Sequence, residues 1–219
     1  MGLIGRALNE AGAEIDLRKP YTGEALPADA SGHDAIVMLG GAQNALDDGF
    51  SPYFPALLEL TRDFEAKDRG VLGICLGSQL IARAFGGENV IGGATEFGWC
   101  EVSLTPHAKH DAVLGALPEK FPIFEWHDDT FGLPGNAVRL AGSAVADNQA
   151  FRIGRAVYGF QFHFEADREL VREWSTLFRD MIDKNYPDWA GRLDVEMAES
   201  GADADAAGLA IARAWVALV

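Results

Sequence analysis

Along the first half of the chain, short apolar runs alternate with amphipathic segments, the pattern of buried strands joined by crossover helices. Ala35 to Leu39 (AIVML) and Gly70 to Ile74 (GVLGI) read as buried strands. Between them, Pro55 to Lys67 carries apolar residues at helical spacing, with proline at the start where a helix tolerates it, and predicts a crossover helix. Leu76 to Phe85 predicts a second helix, closed by Gly86-Gly87, where glycine accepts the left-handed conformation that ends helices. From Trp99 the runs shorten, to Trp99–Leu104, Pro122–Trp126, Val138–Ala141, Ala150–Ile153 and Ala156–Phe162, and predict antiparallel hairpins. Arg168 to Lys184 predicts a strong amphipathic helix. Ala206 to Leu218 predicts a weaker one, behind an Asp/Ala/Gly-rich spacer at Glu199 to Asp205. Residues 1 to 12 begin at once with a helical pattern, Leu3-Ile4 and Ala7-Leu8, where a doubly wound sheet normally begins with a strand. Either the start codon is placed too late, or this variant lacks that strand and exposes its neighbour's edge.

These elements predict an α/β fold with three layers: an open, mostly parallel sheet, helices on both faces, and a small antiparallel extension. At 219 residues the chain has the length of one large α/β domain, and neither a repeat nor a domain linker is visible. We therefore expect residues 1–219 to form a single domain. A formal charge of −15 with no basic stripe argues against nucleic-acid or anionic-membrane partners, which are themselves negative. No apolar stretch approaches the ~20 residues that span a bilayer, and the N-terminus lacks a signal-peptide layout, so a cytoplasmic location is expected. The two cysteines, Cys75 and Cys100, are expected to be reduced there.

Cys75 changes the picture from a fold to a chemistry. Gly73-Ile-Cys-Leu-Gly77 places it between a strand and a helix, in the small-x-nucleophile-x-small layout of a sharp turn that exposes the central side chain. The helix N-terminus that follows presents unsatisfied N–H groups, which stabilise a thiolate and can donate to an oxyanion. An ordinary buried cysteine is the commonest fate of this residue, and the two flanking glycines count against it here. A cysteine nucleophile needs a base, and the base an orienting partner. Of five histidines, His33, His107 and His110 lie in polar or turn-like surroundings that suit a surface role. His163 ends the apolar run Tyr158 to Phe162 and precedes Glu165, a carboxylate close enough in sequence to hold the ring's tautomer.

Three blocks, Leu39-Gly-Gly-Ala-Gln-Asn44, Gly73-Ile-Cys-Leu-Gly-Ser-Gln79 and Gly159-Phe-Gln-Phe-His-Phe-Glu165, resemble the class I glutamine amidotransferases in order and spacing. Glu96-Phe-Gly-Trp99, Phe124 to Phe131 and Asn148 to Arg152 are similar to the stand-alone branch related to the amidotransferase domain of GMP synthetase. The resemblance covers about residues 35 to 166. It implies a flavodoxin-like fold and a Cys-His-Glu triad of Cys75, His163 and Glu165. It also implies that Gly41 and Leu76 donate backbone N–H groups to the oxyanion, and that Gln79 and the backbone around Gln43, His127 and Asp128 hold the amino-acid end of glutamine. For the stretch Trp126 to Asp129, a plain polar strand end is the competing reading. The family commonly has proline in place of Ala42 and of Phe164. Alanine loosens the glycine loop and Phe164 relaxes the path between base and orienter, but neither change removes a reacting group.

The resemblance implies hydrolysis of the glutamine side-chain amide through a γ-glutamyl thioester, with no metal or organic cofactor. Most relatives pass the ammonia on, and the residues after His163 are too few for a second catalytic domain, so a separate synthase or ligase subunit is one implied partner. Two other functions stay open: a stand-alone γ-glutamyl hydrolase or peptidase acting on other γ-glutamyl amides, and an inactive regulatory subunit that keeps only the fold.

Overall fold

A computed structural model describes residues 1–219. The chain opens with α1 (Gly2–Glu10), followed by β1 (Ala35–Met38), α2 (Phe54–Ala66), β2 (Gly70–Ile74) and α3 (Leu76–Ala84). Then come β3 (Asn89–Val90), β4 (Glu96–Leu104), β5 (Lys120–His127), β6 (Thr130–Phe131), β7 (Ala137–Gly142), β8 (Ala150–Ile153) and β9 (Val157–Phe160). The last part is helical: α4 (Arg168–Leu177), α5 (Arg179–Asn185) and α6 (Trp189–Val216).

Seven strands form one sheet in the order β1-β2-β9-β8-β7-β4-β5, and β3 and β6 make a small antiparallel pair apart from it. β1, β2 and β9 pair in parallel, and every pairing from β9 to β5 is antiparallel. Followed across the sheet, five strands (β1, β2, β9, β7, β5) point one way and β8 and β4 the other. The expected three-layer α/β architecture is therefore present, with its antiparallel part built from the predicted short strands. β5 is an end strand, which lets it carry Pro122 without costing a ladder hydrogen bond. β1 forms the opposite end.

Strand alternation divides the core between the two faces. Leu72 and Ile74 of β2 and Tyr158 and Phe160 of β9 point into a cluster with Ile4 and Ala7 of α1 and Ile211, Ala212 and Trp215 of α6. Val71 and Val157 point the other way, against Phe54, Leu57 and Phe64 of α2 and Leu80 and Ile81 of α3. A third, aromatic cluster joins Phe124, Val171, Ile182 and Trp189 beside Phe97, Trp99, Trp126 and Trp174.

Two helical expectations need correction. The segment expected to be a spacer, Glu199 to Asp205, lies inside the 28-residue helix α6. Alanine is the strongest helix former, and the buried face of α6 (Gly201, Ala204, Ala207, Gly208, Ile211, Trp215) keeps helical spacing with residues too small to raise the hydropathy signal. The helix expected over Arg168 to Lys184 breaks at Phe178, which leaves helical geometry at φ −106° and ψ 22° and sets its ring 5.6 Å from that of Trp126.

Both terminal helices brace the segment after β9. The N–H of Leu3 donates to the carbonyl of Glu165 at 2.8 Å, and Gly208 of α6 lies so close to the Phe164 carbonyl that a Cβ there would overlap it. Gly208→Ala is therefore expected to destabilise the fold by about 1–3 kcal/mol. Gly191→Ala, near the start of the same helix and with open space around it, should stabilise it by up to about 1 kcal/mol. Urea unfolding of the two variants measures the contrast, and equal effects would contradict the packing at Phe164.

Glu10 joins the two terminal helices, accepting from Arg213 at 2.7 and 3.0 Å and from Arg6 at 3.0 Å. These guanidinium groups, Arg213 foremost, lower its carboxyl from 4.5 to about 2. A depressed carboxyl contributes stability that is present above its unfolded value and lost as pH falls towards the folded one. The gap in melting temperature between the wild type and Arg213→Gln should accordingly close between about pH 4.5 and pH 2. A gap that persists at pH 2 would remove Glu10 as its source.

Candidate active site

β2 ends and α3 begins at Cys75, whose backbone sits at φ 52° and ψ −111°, a conformation worth about 1–3 kcal/mol of strain for a non-glycine residue. The flanking glycines allow the turn to close. A Cβ on Gly73 would stand 2.7 Å from Ile81 Cδ1 and collide with the backbone of Gly77, and a Cβ on Gly77 would strike the carbonyl of Met38. Hydrogen bonds fix the turn from both sides: the Cys75 N–H donates to the Phe160 carbonyl at 2.8 Å, and the Ser78 hydroxyl donates to the Cys75 carbonyl at 2.7 Å. The thiol points towards the carbonyl of Trp126, 3.7 Å away.

Because β9 lies beside β2, the chain leaving β9 passes the same sheet end and delivers His163 there. Its backbone N–H donates to the carbonyl of Phe124 at 2.8 Å, and its Nδ1 meets Glu165 Oε1 at 2.7 Å. Both side chains are buried, and the Trp174 ring stands edge-on to the imidazole at 5.2 Å. Burial alone would lower the His163 pKa, but Glu165 and Cys75 outweigh it and hold the ring well above its ordinary value. Phe164 does not leave this segment loose. It is fully buried, packed at 5.0 Å against Phe160 with α6 behind it.

The loop after β1 lies over this pair. A Cβ on Gly40 would come within 2.9 Å of His163 Cε1 and 3.5 Å of Cys75 Cβ. Gly41 is exposed, with Leu76 and the Gln43 side chain against it; a Cβ there would stand 3.1 Å from Leu76 Cδ2. Cys75, His163, Glu165, Gly41 and Leu76 are thus brought together. Gln79, one turn along α3, is buried and gives its amide to Gln161 at 3.2 Å. Asp128 is exposed beyond the end of β5, 3.5 Å from the Tyr186 hydroxyl.

His127 turns away from solvent into a group the sequence reading missed. Its Nδ1 lies 3.0 Å from the Asp129 carbonyl, and its Nε2 is 3.3 Å from a carboxylate oxygen of each of Glu96 and Glu125. Burial pushes the Glu125 carboxyl up to about 7. Burial opposes protonation of His127, yet the two carboxylates more than reverse this and raise it to about 10. One signal was available: a glutamate between Phe124 and Trp126, in an apolar strand. The role of Gly40 was equally legible in the glycine pair of the first block.

A family model described as glutamine amidotransferase class-I matches residues 2–180, and the chain belongs to that family. It is 34% identical over 165 residues, 74% of this chain and 69% of the other, to a glutamine amidotransferase-like protein of Salmonella typhimurium. It is 30% identical over 179 residues to a glutamine-hydrolysing GMP synthase subunit of Thermoplasma acidophilum, covering 81% of this chain and 83% of that one. Among solved structures, a glutamine amidotransferase of Thermotoga maritima superposes with a TM-score of 0.87 at 25% identity, over 99% of this chain and 91% of that one.

If His163 acts on glutamine at this site, Gly40→Ala is expected to push its ring aside and to lower ammonia release from glutamine by about 10- to 100-fold, since small displacements of a reacting group cost that much. Wild-type turnover in that variant would show that the ring accommodates the methyl group.

Proposed function

We propose that this chain hydrolyses the side-chain amide of glutamine through a γ-glutamyl thioester on Cys75. The observation that carries the reading is the strained Cys75 turn meeting the buried 2.7 Å His163–Glu165 pair. Family membership and the similarity to glutamine-hydrolysing GMP synthase subunits support it.

In the first half-reaction the Cys75 proton already rests on His163, and the Sγ–C bond forms from the thiolate while the N–H groups of Gly41 and Leu76 bind the oxyanion. His163 then returns that proton to the amide nitrogen, the C–N bond breaks, and ammonia leaves. In the second half-reaction water adds to the thioester, gives a proton to His163, and the Sγ–C bond breaks to regenerate the thiolate beside protonated His163 and release glutamate. Glu165 holds the imidazole in the tautomer and orientation that both steps need. Gln79 and the backbone at Gln43, His127 and Asp128 receive the amino-acid end of the substrate. No step calls for a metal or an organic cofactor.

In this proposal residues 1–219 act as one amidotransferase domain in the cytoplasm and deliver ammonia to a separate synthase or ligase subunit. The similarity to GMP synthase subunits supports that partnership. No helix is long and apolar enough to cross a membrane, which fits the location.

Cys75→Ala should abolish ammonia release from glutamine, a loss of at least about 10⁴-fold. It should also end labelling by a glutamine-mimicking electrophile in folded protein. Unchanged ammonia release from this variant would sink the assignment, and hydrolysis of larger γ-glutamyl conjugates with little glutamine turnover would move the substrate away from glutamine.

A further inference from the structure

The antiparallel register of β4 and β5 sets Glu96 directly opposite His127, and strand alternation puts Glu125 on the same face as His127. The side chains of Glu96, Glu125 and His127 are 5%, 0% and 1% exposed. Their ligand atoms all lie within 4.8 Å of one another. Neither oxygen of Glu125 has a hydrogen-bond partner, nor has His127 Nε2, and no lysine or arginine pairs with either carboxylate. Buried acceptors left in this state are costly unless a cation meets them.

We propose that Glu96, Glu125 and His127 form a binding site for one divalent transition-metal cation of the Zn²⁺ kind. The support around the three residues is that of a metal site. The Asp129 carbonyl accepts from His127 Nδ1–H, so a metal would displace the proton from Nε2 and take that nitrogen's lone pair. Gln149 Nε2 and the Ser143 hydroxyl donate to Glu96 Oε2 at 2.7 and 2.9 Å and fix that carboxylate. The 3.3 Å separations of Nε2 from the two carboxylates match the edge of a tetrahedron with metal–ligand distances of about 2.0 Å, and three protein ligands leave its fourth corner to water. A nitrogen and two carboxylates suit Zn²⁺ and its Co²⁺ surrogate. The ion would tie β4 to the end of β5 and so set the start of residues 128–129. It takes no part in the thioester chemistry, and the metal site stands whether or not the catalytic reading does.

The test is equilibrium dialysis of the full, EDTA-stripped chain against Zn²⁺ and, separately, Co²⁺, with bound metal counted by elemental analysis. The wild type and Cys75→Ser are expected to retain one ion per chain, and bound Co²⁺ should show the intense visible absorption of a tetrahedral site. Glu125→Gln, nearly isosteric, should weaken retention by about 100-fold or more. Glu96→Gln serves as the second variant if Glu125→Gln does not fold. Three results would overturn the proposal: no retention by the wild type, retention unchanged in the glutamine variants, or loss of the ion in Cys75→Ser, which would place it on the thiol instead.

Discussion

The site depends first on how closely α3 approaches the ends of β1 and β2. Only glycine at 73 and 77 lets the helix start directly above the strands, and only that closeness holds Cys75 at a positive φ with its thiol turned towards the Trp126 carbonyl. The rest follows from sheet order. With β9 next to β2, the Phe160 carbonyl steadies the turn and the chain beyond it carries His163 and Glu165 to the same end. Cys75, His163 and Glu165 therefore gather outside the carboxyl ends of the parallel strands, where open α/β sheets form their sites.

β5 partitions the region electrostatically. On one side its Phe124 and Trp126 carbonyls face the His163 backbone and the Cys75 thiol. On another, Glu125 and His127 are enclosed with Glu96. Two imidazole–carboxylate groups are thus buried beside β5, each shut away from water, where solvent screens them little.

What the sequence disclosed tracks the range of the interactions involved. β2, α2 and the Cys75 turn are dictated by neighbours in sequence: the apolar spacing of Pro55 to Lys67 announced the helix, and Gly73-Ile-Cys-Leu-Gly77 the turn at the end of the strand. The pairing of His163 with Glu165 was legible because only Phe164 separates them on one segment. By contrast, the Glu96–His127 pairing exists only through the β4–β5 register, and no local pattern encodes a register. The continuity of α6 was hidden for another reason. Its inner face is made of glycine and alanine, which pack closely without being strongly apolar, so a composition typical of a linker belongs to a buried helix. The break at Phe178 likewise coincides with a tertiary contact with Trp126 that helical periodicity cannot register.

The packing of Gly208 onto the Phe164 carbonyl puts a residue near the end of the chain in the support of the imidazole–carboxylate pair. A side chain at this position would press on that carbonyl, so a lesion in α6 would disturb the imidazole–carboxylate pair from far along the chain.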